Sequence, residues 1–209
     1  METPDLSGAY ALNGPEDCLR LYAGWADSYD ADFARSMDYR LPAEVAAAYL
    51  RAAPPAGPVL DVGAGTGLLA QALHGLGHRD AIDALDLSAP MLARAGEKHL
   101  YRALIEGDVT RPLPCAGYAG IVSSGTFTHG HVGPGALPHL LAATRPGGVV
   151  ALSINAGIWD RLGFGAAFAA LPGIHGLDRA EVAIYGQAAQ SRDPAHAADR
   201  ALIVTFRKA

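Results

Sequence analysis

Three acids stand where a ligand-binding site would use them. Asp61 sits inside a short apolar run, Val59-Leu60-Asp61-Val62, that leads directly into Gly63-Ala64-Gly65-Thr66-Gly67. Asp86 closes the next apolar run, and Asp108 follows the one after it in Glu106-Gly107-Asp108-Val109. The glycine stretch runs into Leu68, Leu69, Ala70 and Leu73, the pattern of a helix with one apolar face. A buried strand, a glycine turn and a helix start let a ligand approach bare backbone. The helix N-terminus favours negative charge there, so a carboxylate or phosphate is the group that fits. Further on, His129 and His131 lie in Ser123-Ser124-Gly125-Thr126-Phe127-Thr128-His129-Gly130-His131-Val132-Gly133-Pro134. A histidine near its ordinary pKa can take a proton from a reacting group at neutral pH.

Those residues need elements to hold them. From Val59 onward short apolar runs alternate with helix-like segments: strands are predicted near 58–62, 81–86, 101–106, 119–124 and 148–154, with helices near 67–76, 89–98 and 135–144. That alternation argues for βαβ units and a parallel sheet covered on both faces. Glu181–Gly186 and Ala201–Arg207 also read as strands, joined by a polar loop without a helix signal, and two such strands are most simply antiparallel. Ahead of the glycine turn, Leu19, Tyr22, Ala26, Tyr29 and Phe33 recur at three- and four-residue steps, as on one helix face. A second helix starts near Pro42 and runs through Val45–Ala53, and Pro54-Pro55-Ala56-Gly57-Pro58 stops it. The expected fold is α/β and doubly wound, with a mostly parallel seven-stranded sheet ending in an antiparallel hairpin. Residues 1–54 are expected to form a helical lid and 55–209 the ligand-binding core, in one structural domain.

The glycine turn by itself leaves three readings open. It can close a tight βα connection and do nothing more. Gly65-x-Gly67-x-x-Ala70 also satisfies the dinucleotide fingerprint, with Asp86 near the ~20-residue spacing of a ribose-binding acid. With its acid inside the strand end, Asp61-x-Gly63-x-Gly65-x-Gly67 resembles motif I of the class I methyltransferases that use S-adenosylmethionine (AdoMet). Asp86-Leu87-Ser88-x-x-Met91-Leu92 and Glu106-Gly107-Asp108-Val109 are similar to that family's next two stations, and Arg145-Pro146-Gly147-Gly148 to its usual turn before strand five. The resemblance implies AdoMet as cofactor. It implies that Asp61 helps position the methionine amino group, directly or through water, with Gly63, Ala64, Gly65 and Gly67 around it. Asp86 would accept the ribose hydroxyls, Leu87 and Met91 would cover adenine, and Asp108 with Val109 would meet the adenine amino edge. The same Met91 is equally an ordinary core residue. Leu21-Tyr22-x-x-Trp25-Ala26-x-x-Tyr29-Asp30 and the histidine segment resemble a narrower group, named after the Williams–Beuren syndrome chromosomal region. Where the wider family often opens strand four with an aromatic-Asp pair, this chain has Tyr118-Ala119.

Ligands in open α/β sheets bind outside the carboxyl ends of the strands, so Ser124–Gly133 is expected to face the transferable methyl group, with Ser124 at the cofactor. His129, placed first, and His131 are the candidate bases, set against histidines that only hydrogen-bond loop backbone. A metal reading of His129-x-His131 with His139 lacks a nearby carboxylate or cysteine, and no metal is expected. Tyr22, Trp25 and Tyr29 are expected to close over the methionine end of the cofactor, or else to pack on the sheet for stability alone.

Composition sets outer limits. The chain has 209 residues, half of them hydrophobic and 18% charged, enough for one sizeable core. A net charge of −5 shifts the expectation from nucleic acid toward a small-molecule acceptor, because phosphate contacts dominate nucleic-acid affinity. The two cysteines, Cys18 and Cys115, have no metal-like spacing, and a reducing, cytoplasmic setting is expected. Apolar stretches such as Phe164–Leu171 fall short of the ~20 residues a bilayer span needs, so no membrane partner is expected. Composition leaves monomer and dimer open. Three other functions remain: a nicotinamide-dependent oxidoreductase, an AdoMet-binding protein without catalysis, and an enzyme that keeps AdoMet but does not transfer its methyl to an acceptor.

Overall fold

The structure, a computed structural model, describes Asp30 and residues 34–209. Tyr22, Trp25, Tyr29 and Phe33 lie outside the described residues, as does the helix expected around them.

The first described helix, α1 (Leu41–Arg51), has Pro42 in its first turn, Glu44 near its positive end and Arg51 near its negative end. It buries Leu41, Val45, Ala46, Ala48 and Tyr49. β1 (Val59–Val62) is buried along its whole length and feeds α2 (Leu68–Gly75). β2 (Ile82–Asp86) is followed by α3 (Ala89–Glu97), which Ser88 caps by accepting from the Met91 N–H. β3 (Ala103–Glu106) leads to β4 (Tyr118–Phe127), then a single 3₁₀ turn (Pro134–Ala136) and α4 (Leu137–Ala143). β5 (Thr144–Asn155) is followed by two short helices, α5 (Ala156–Trp159) and α6 (Phe164–Ala170). β6 (Ile174–Ala183), the four-residue α7 (Ala189–Arg192) and β7 (Arg200–Lys208) complete the chain.

The strands form one seven-stranded sheet in the order β3-β2-β1-β4-β5-β7-β6. β1 through β5 pair in parallel, while β7 pairs antiparallel with both β5 and β6. The order reverses between β1 and β4, which opens a crevice at their carboxyl ends. One face of the sheet packs Val45, Tyr49, Leu69 and Leu73 from α1 and α2. The other packs Leu137, Leu140, Ile158, Phe164 and Phe168 from α4, α5 and α6. The doubly wound α/β expectation with a terminal antiparallel hairpin therefore holds.

Packing explains two residues on β4. Any side chain at Gly120 would overlap the Tyr49 ring, so the glycine leaves the room by which α1 seats on the sheet. Tyr118 donates to Asp83 Oδ2 at 2.8 Å, and Arg102 Nε donates to Asp83 Oδ1 at 2.9 Å. Burial alone would raise the Asp83 pKa, but the bonds from Arg102 and Tyr118 hold it below the usual carboxylate range. The polar partner of the aromatic that opens β4 thus comes from β2.

Several element boundaries differ from expectation. β4 runs on to Phe127 instead of ending near 124, so the first part of the histidine segment is strand. Arg145–Gly148, expected as a turn, lies inside β5, where the pairing with β4 is irregular between Tyr118 and Gly120. β6 spans Ile174–Ala183 instead of 181–186. It is a largely exposed edge strand, so its sequence carries no alternating apolar signal. Ile184–Gly186 instead meets the segment before α1: Arg40 N–H donates to Ile184 O and Gly186 N–H to Asp38 O, each at 2.9 Å. α5, α6 and α7 were not expected; all are shorter than eight residues and too brief for a periodic pattern. Among the described residues, no helix is long and apolar enough to cross a membrane.

Candidate functional site

The turn after β1 is fastened from several sides. Gly63 N–H donates to Leu85 O at 2.7 Å, and Gly65 N–H donates to Asp86 Oδ2 at 2.8 Å. The other Asp86 oxygen accepts from Ser88 N–H at 2.8 Å. On the far side, Ser123 and Thr126 of β4 donate to Val62 O at 2.7 and 3.2 Å. A side chain at Gly63 would overlap Thr126, whereas Gly65, at φ +54°, has no atom of the described residues within 4 Å of where its Cβ would stand. The backbone at Gly65 therefore faces open space, as a ligand-cradling turn requires.

That space is a cavity of about 1070 Å³, its open mouth included. Its wall includes Gly63, Ala64, Gly65, Asp86, Leu87, Met91, Asp108 and Val109 from the ends of β1 to β3 and the segments after them. Tyr39 and Pro42 from around the start of α1, and Ser124, Gly125, Thr126, His131 and Val132 from β4 and the loop after it, also line it. The structure thus brings ten of the sequence-derived site residues to one cavity from the ends of four strands. Gly67 and Asp61 support the wall from behind. Gly67, in the left-handed region, caps α2, and a side chain there would press on the Tyr101 ring at 3.0 Å.

Asp61 is only 1% exposed. Its Oδ2 accepts from the Tyr101 hydroxyl at 2.7 Å, while its Oδ1 is buried without a hydrogen-bond partner among the described residues. Burial pushes its pKa up to about 7, with the Asp86 charge adding to the rise and the Tyr101 bond opposing it. Burial likewise raises Asp86, against the N–H groups of Ser88 and Gly65. Asp108 Oδ1 is held by Thr110 N–H at 2.8 Å and the Thr110 hydroxyl at 2.6 Å, which orients the carboxylate.

The two histidines part company. His131 lines the cavity, and its Nδ1 lies 2.7 Å from His129 O. A carbonyl only accepts, so Nδ1 carries the proton and the neutral ring keeps its basic lone pair on Nε2. His129 is absent from the cavity wall; its ring packs at the start of α5, 3.2 Å from where a Gly157 Cβ would stand. Burial lowers the pKa of both rings, so each is neutral at pH 7.

Four contributors escaped sequence reasoning. Tyr39 reaches the cavity because the segment before α1 pairs with Ile184–Gly186, a long-range contact without a local signal. Thr126 stands in the quoted histidine segment but faces the turn only because β4 extends to it. Tyr101 precedes β3 and reads as a strand opening. Asp30 accepts from the Thr66 hydroxyl at 2.5 Å and from Lys98 Nζ at 2.6 Å, linking the leader to the glycine turn and to the end of α3. Among the described residues, no group of three or more His, Cys, Asp and Glu could hold a metal ion.

Residues 59–148 match a family model described as a methyltransferase domain. The human protein Methyltransferase-like protein 27 is 34% identical over 142 residues, a match covering 65% of this chain and 56% of that one. Malonyl-(acyl-carrier protein) O-methyltransferase of Pectobacterium atrosepticum is 38% identical over 101 residues, covering 46% of this chain and 37% of that one. The chain therefore spans about half the length, or less, of these curated relatives. Among solved structures, the complex of DhpI with SAH superposes with TM-score 0.62 at 23% identity, covering 91% of this chain and 94% of the other. The [4+2]-cyclase SpnF superposes with TM-score 0.66 at 17% identity, covering 94% and 98%. A cyclase on this frame makes plain that the fold does not choose the reaction.

Proposed function

We propose that this chain, whose residues 59–148 form a class I AdoMet-dependent methyltransferase domain, moves the cofactor's methyl group to an oxygen or nitrogen of a small-molecule acceptor. The observation that carries the reading is the sharing of one cavity by the bare Gly65 backbone, the acids Asp86 and Asp108, and the neutral His131. The residues present fit the cofactor: a buried, half-satisfied carboxylate lies behind a turn whose open face no side chain fills.

In this reading the cavity divides. Gly63, Ala64 and Gly65 take the methionine end, with Asp61 behind them as counter-charge for its ammonium. Asp86 accepts the ribose hydroxyls, Leu87 and Met91 flank adenine, and Asp108 with Val109 meets its amino edge. Tyr39, Ser124, Thr126 and His131 surround the acceptor. In the same reading Tyr22, Trp25 and Tyr29 of the leader close over the methionine end.

When bound, AdoMet supplies a sulfonium methyl that the acceptor's lone pair displaces in line, the S–CH₃ bond breaking as the new bond forms and its electrons returning to sulfur. Most of the acceleration comes from holding the two reactants in line in a closed pocket. His131, the histidine that lines the cavity, takes the proton that a hydroxyl or ammonium acceptor must lose. The acidic chain supports a small acceptor over nucleic acid, and the Pectobacterium relative's name gives an O-methyltransferase of a malonyl group on a carrier protein.

Calorimetry with AdoMet, S-adenosylhomocysteine and NAD tests the cofactor, and a metabolite screen for AdoMet-dependent mass gain tests the transfer. Binding of the first two without NAD, followed by a methylated product, is expected. NAD binding with no response to AdoMet overturns the reading. AdoMet binding without any product from broad acceptor pools leaves the non-catalytic alternative in its place.

A further inference from the structure

Tyr101 does not line the cavity described above, yet it touches the buried acid behind the glycine turn. It stands in the connection between α3 and β3, and its hydroxyl donates to Asp61 Oδ2 at 2.7 Å. Its ring lies directly behind Gly67, the residue that starts α2. The backbone neighbours of Asp61, Ala84 on β2 and Val122 on β4, are apolar. The ionisable groups acting on Asp61 are Tyr101 itself and Asp86, whose like charge opposes ionisation. One oxygen is therefore engaged and the other, Oδ1, is buried with no hydrogen-bond partner among the described residues. A buried carboxylate in such surroundings stays ionised only if hydrogen-bonded or paired with a cation.

We propose that Tyr101 is a positioning residue for the cofactor's amino group: it fixes the Asp61 carboxylate by one oxygen and leaves the other for the ammonium. The inference rests on the AdoMet reading above. Two effects follow from one hydroxyl. It orients Asp61, and it favours the charged form that an ammonium needs. Without it, burial and Asp86 push Asp61 further toward the protonated form at neutral pH.

The test compares S-adenosylhomocysteine, which carries the amino acid chain, with 5′-methylthioadenosine, which lacks it. Binding of each to the parent and to Tyr101→Phe is measured by calorimetry from pH 6 to 9, with circular dichroism as a check on folding. Tyr101→Phe is expected to weaken S-adenosylhomocysteine at least tenfold at pH 7, leave 5′-methylthioadenosine within twofold, and move the pH at which S-adenosylhomocysteine binding is half-lost upward. Asp61→Asn supplies a second check: on that background, adding Tyr101→Phe should change S-adenosylhomocysteine binding little. Equal losses for both ligands, or additive losses in the double variant, would assign Tyr101 to packing behind the turn and overturn the inference. So would unchanged binding. A parent that binds neither nucleoside overturns the cofactor reading first, and this inference with it.

Discussion

Asp86 Oδ2 accepts the Gly65 N–H at 2.8 Å, so the acid that ends β2 braces the glycine turn that follows β1. A carboxylate oxygen has more than one lone pair, so this bond leaves Asp86 able to accept ribose hydroxyls as well. The same side chain thus braces the turn and lines the cavity beside it.

Asp86→Ala should therefore weaken AdoMet binding by more than the loss of a ribose contact. Hydrogen bonds to charged groups contribute ~1.5–3 kcal/mol, which is about tenfold to a hundredfold in affinity. Calorimetry is expected to show at least tenfold weakening, with Asp86→Asn losing less because it can still accept from Gly65. Affinity unchanged in both variants would remove Asp86 from the site.

Gly65→Val and Gly63→Ala should fail in different ways. At Gly65 a side chain meets no atom of the described residues but points into ligand space, and its left-handed φ costs an L-residue ~1–2 kcal/mol. That variant is expected to stay folded by circular dichroism and lose AdoMet binding. At Gly63 the added methyl overlaps Thr126, so Gly63→Ala should lower the melting temperature even without ligand. Retained binding in Gly65→Val would make the turn purely structural.

The contribution of Asp61 to the stability of the ligand-free protein should fall as pH rises from about 4 to 7. Burial raises Asp61 from its ordinary value to about 7, so its contribution is complete below the unfolded-state pKa and is lost as pH climbs through the folded one. The loss attributable to Asp61 is up to about 4 kcal/mol, at roughly 1.4 kcal/mol per pH unit spanned. Thermal melts of the parent and Asp61→Asn across pH 4–8 check this: the variant should gain on the parent as pH rises. Parallel curves would contradict it.

His131→Ala should lower turnover about 10²–10⁴-fold once an acceptor that loses a proton is known, as removal of a general base does. His129→Ala should have a much smaller effect, because the group that holds His131 Nδ1 is the His129 backbone carbonyl, which alanine keeps. AdoMet affinity should stay nearly intact in both. If His129→Ala carries the larger loss, the roles given to the two rings are reversed.

The leader should respond to ligand if residues 1–54 act as a lid. Lids come from the low-stability end of a structure, so amides of Tyr22–Phe33 should exchange more slowly with S-adenosylhomocysteine than without it. The Asp30 bonds to Thr66 and Lys98 give that segment a fixed point beside the glycine turn. Equal exchange in both states would leave the leader as plain packing.

The sequence by itself determined the parallel half of the fold and which residues gather at the ends of its first strands. Asp61, Gly63–Gly67, Asp86 and Asp108 are legible because each sits at a fixed offset from its own strand, and strand ends in a doubly wound sheet converge on one crevice. Local pattern is enough there. Tertiary structure alone decided the rest. The exposed edge strand β6 has no buried face to print an alternating pattern, and α5 to α7 are too short to show a helical period. Which histidine reaches the cavity depends on how far β4 extends and where the following turn folds back, a matter of a few residues that periodicity does not resolve. The Tyr101–Asp61 and Asp30–Thr66 bonds join residues 40 and 36 positions apart, and such pairings exist only once packing has brought their elements together.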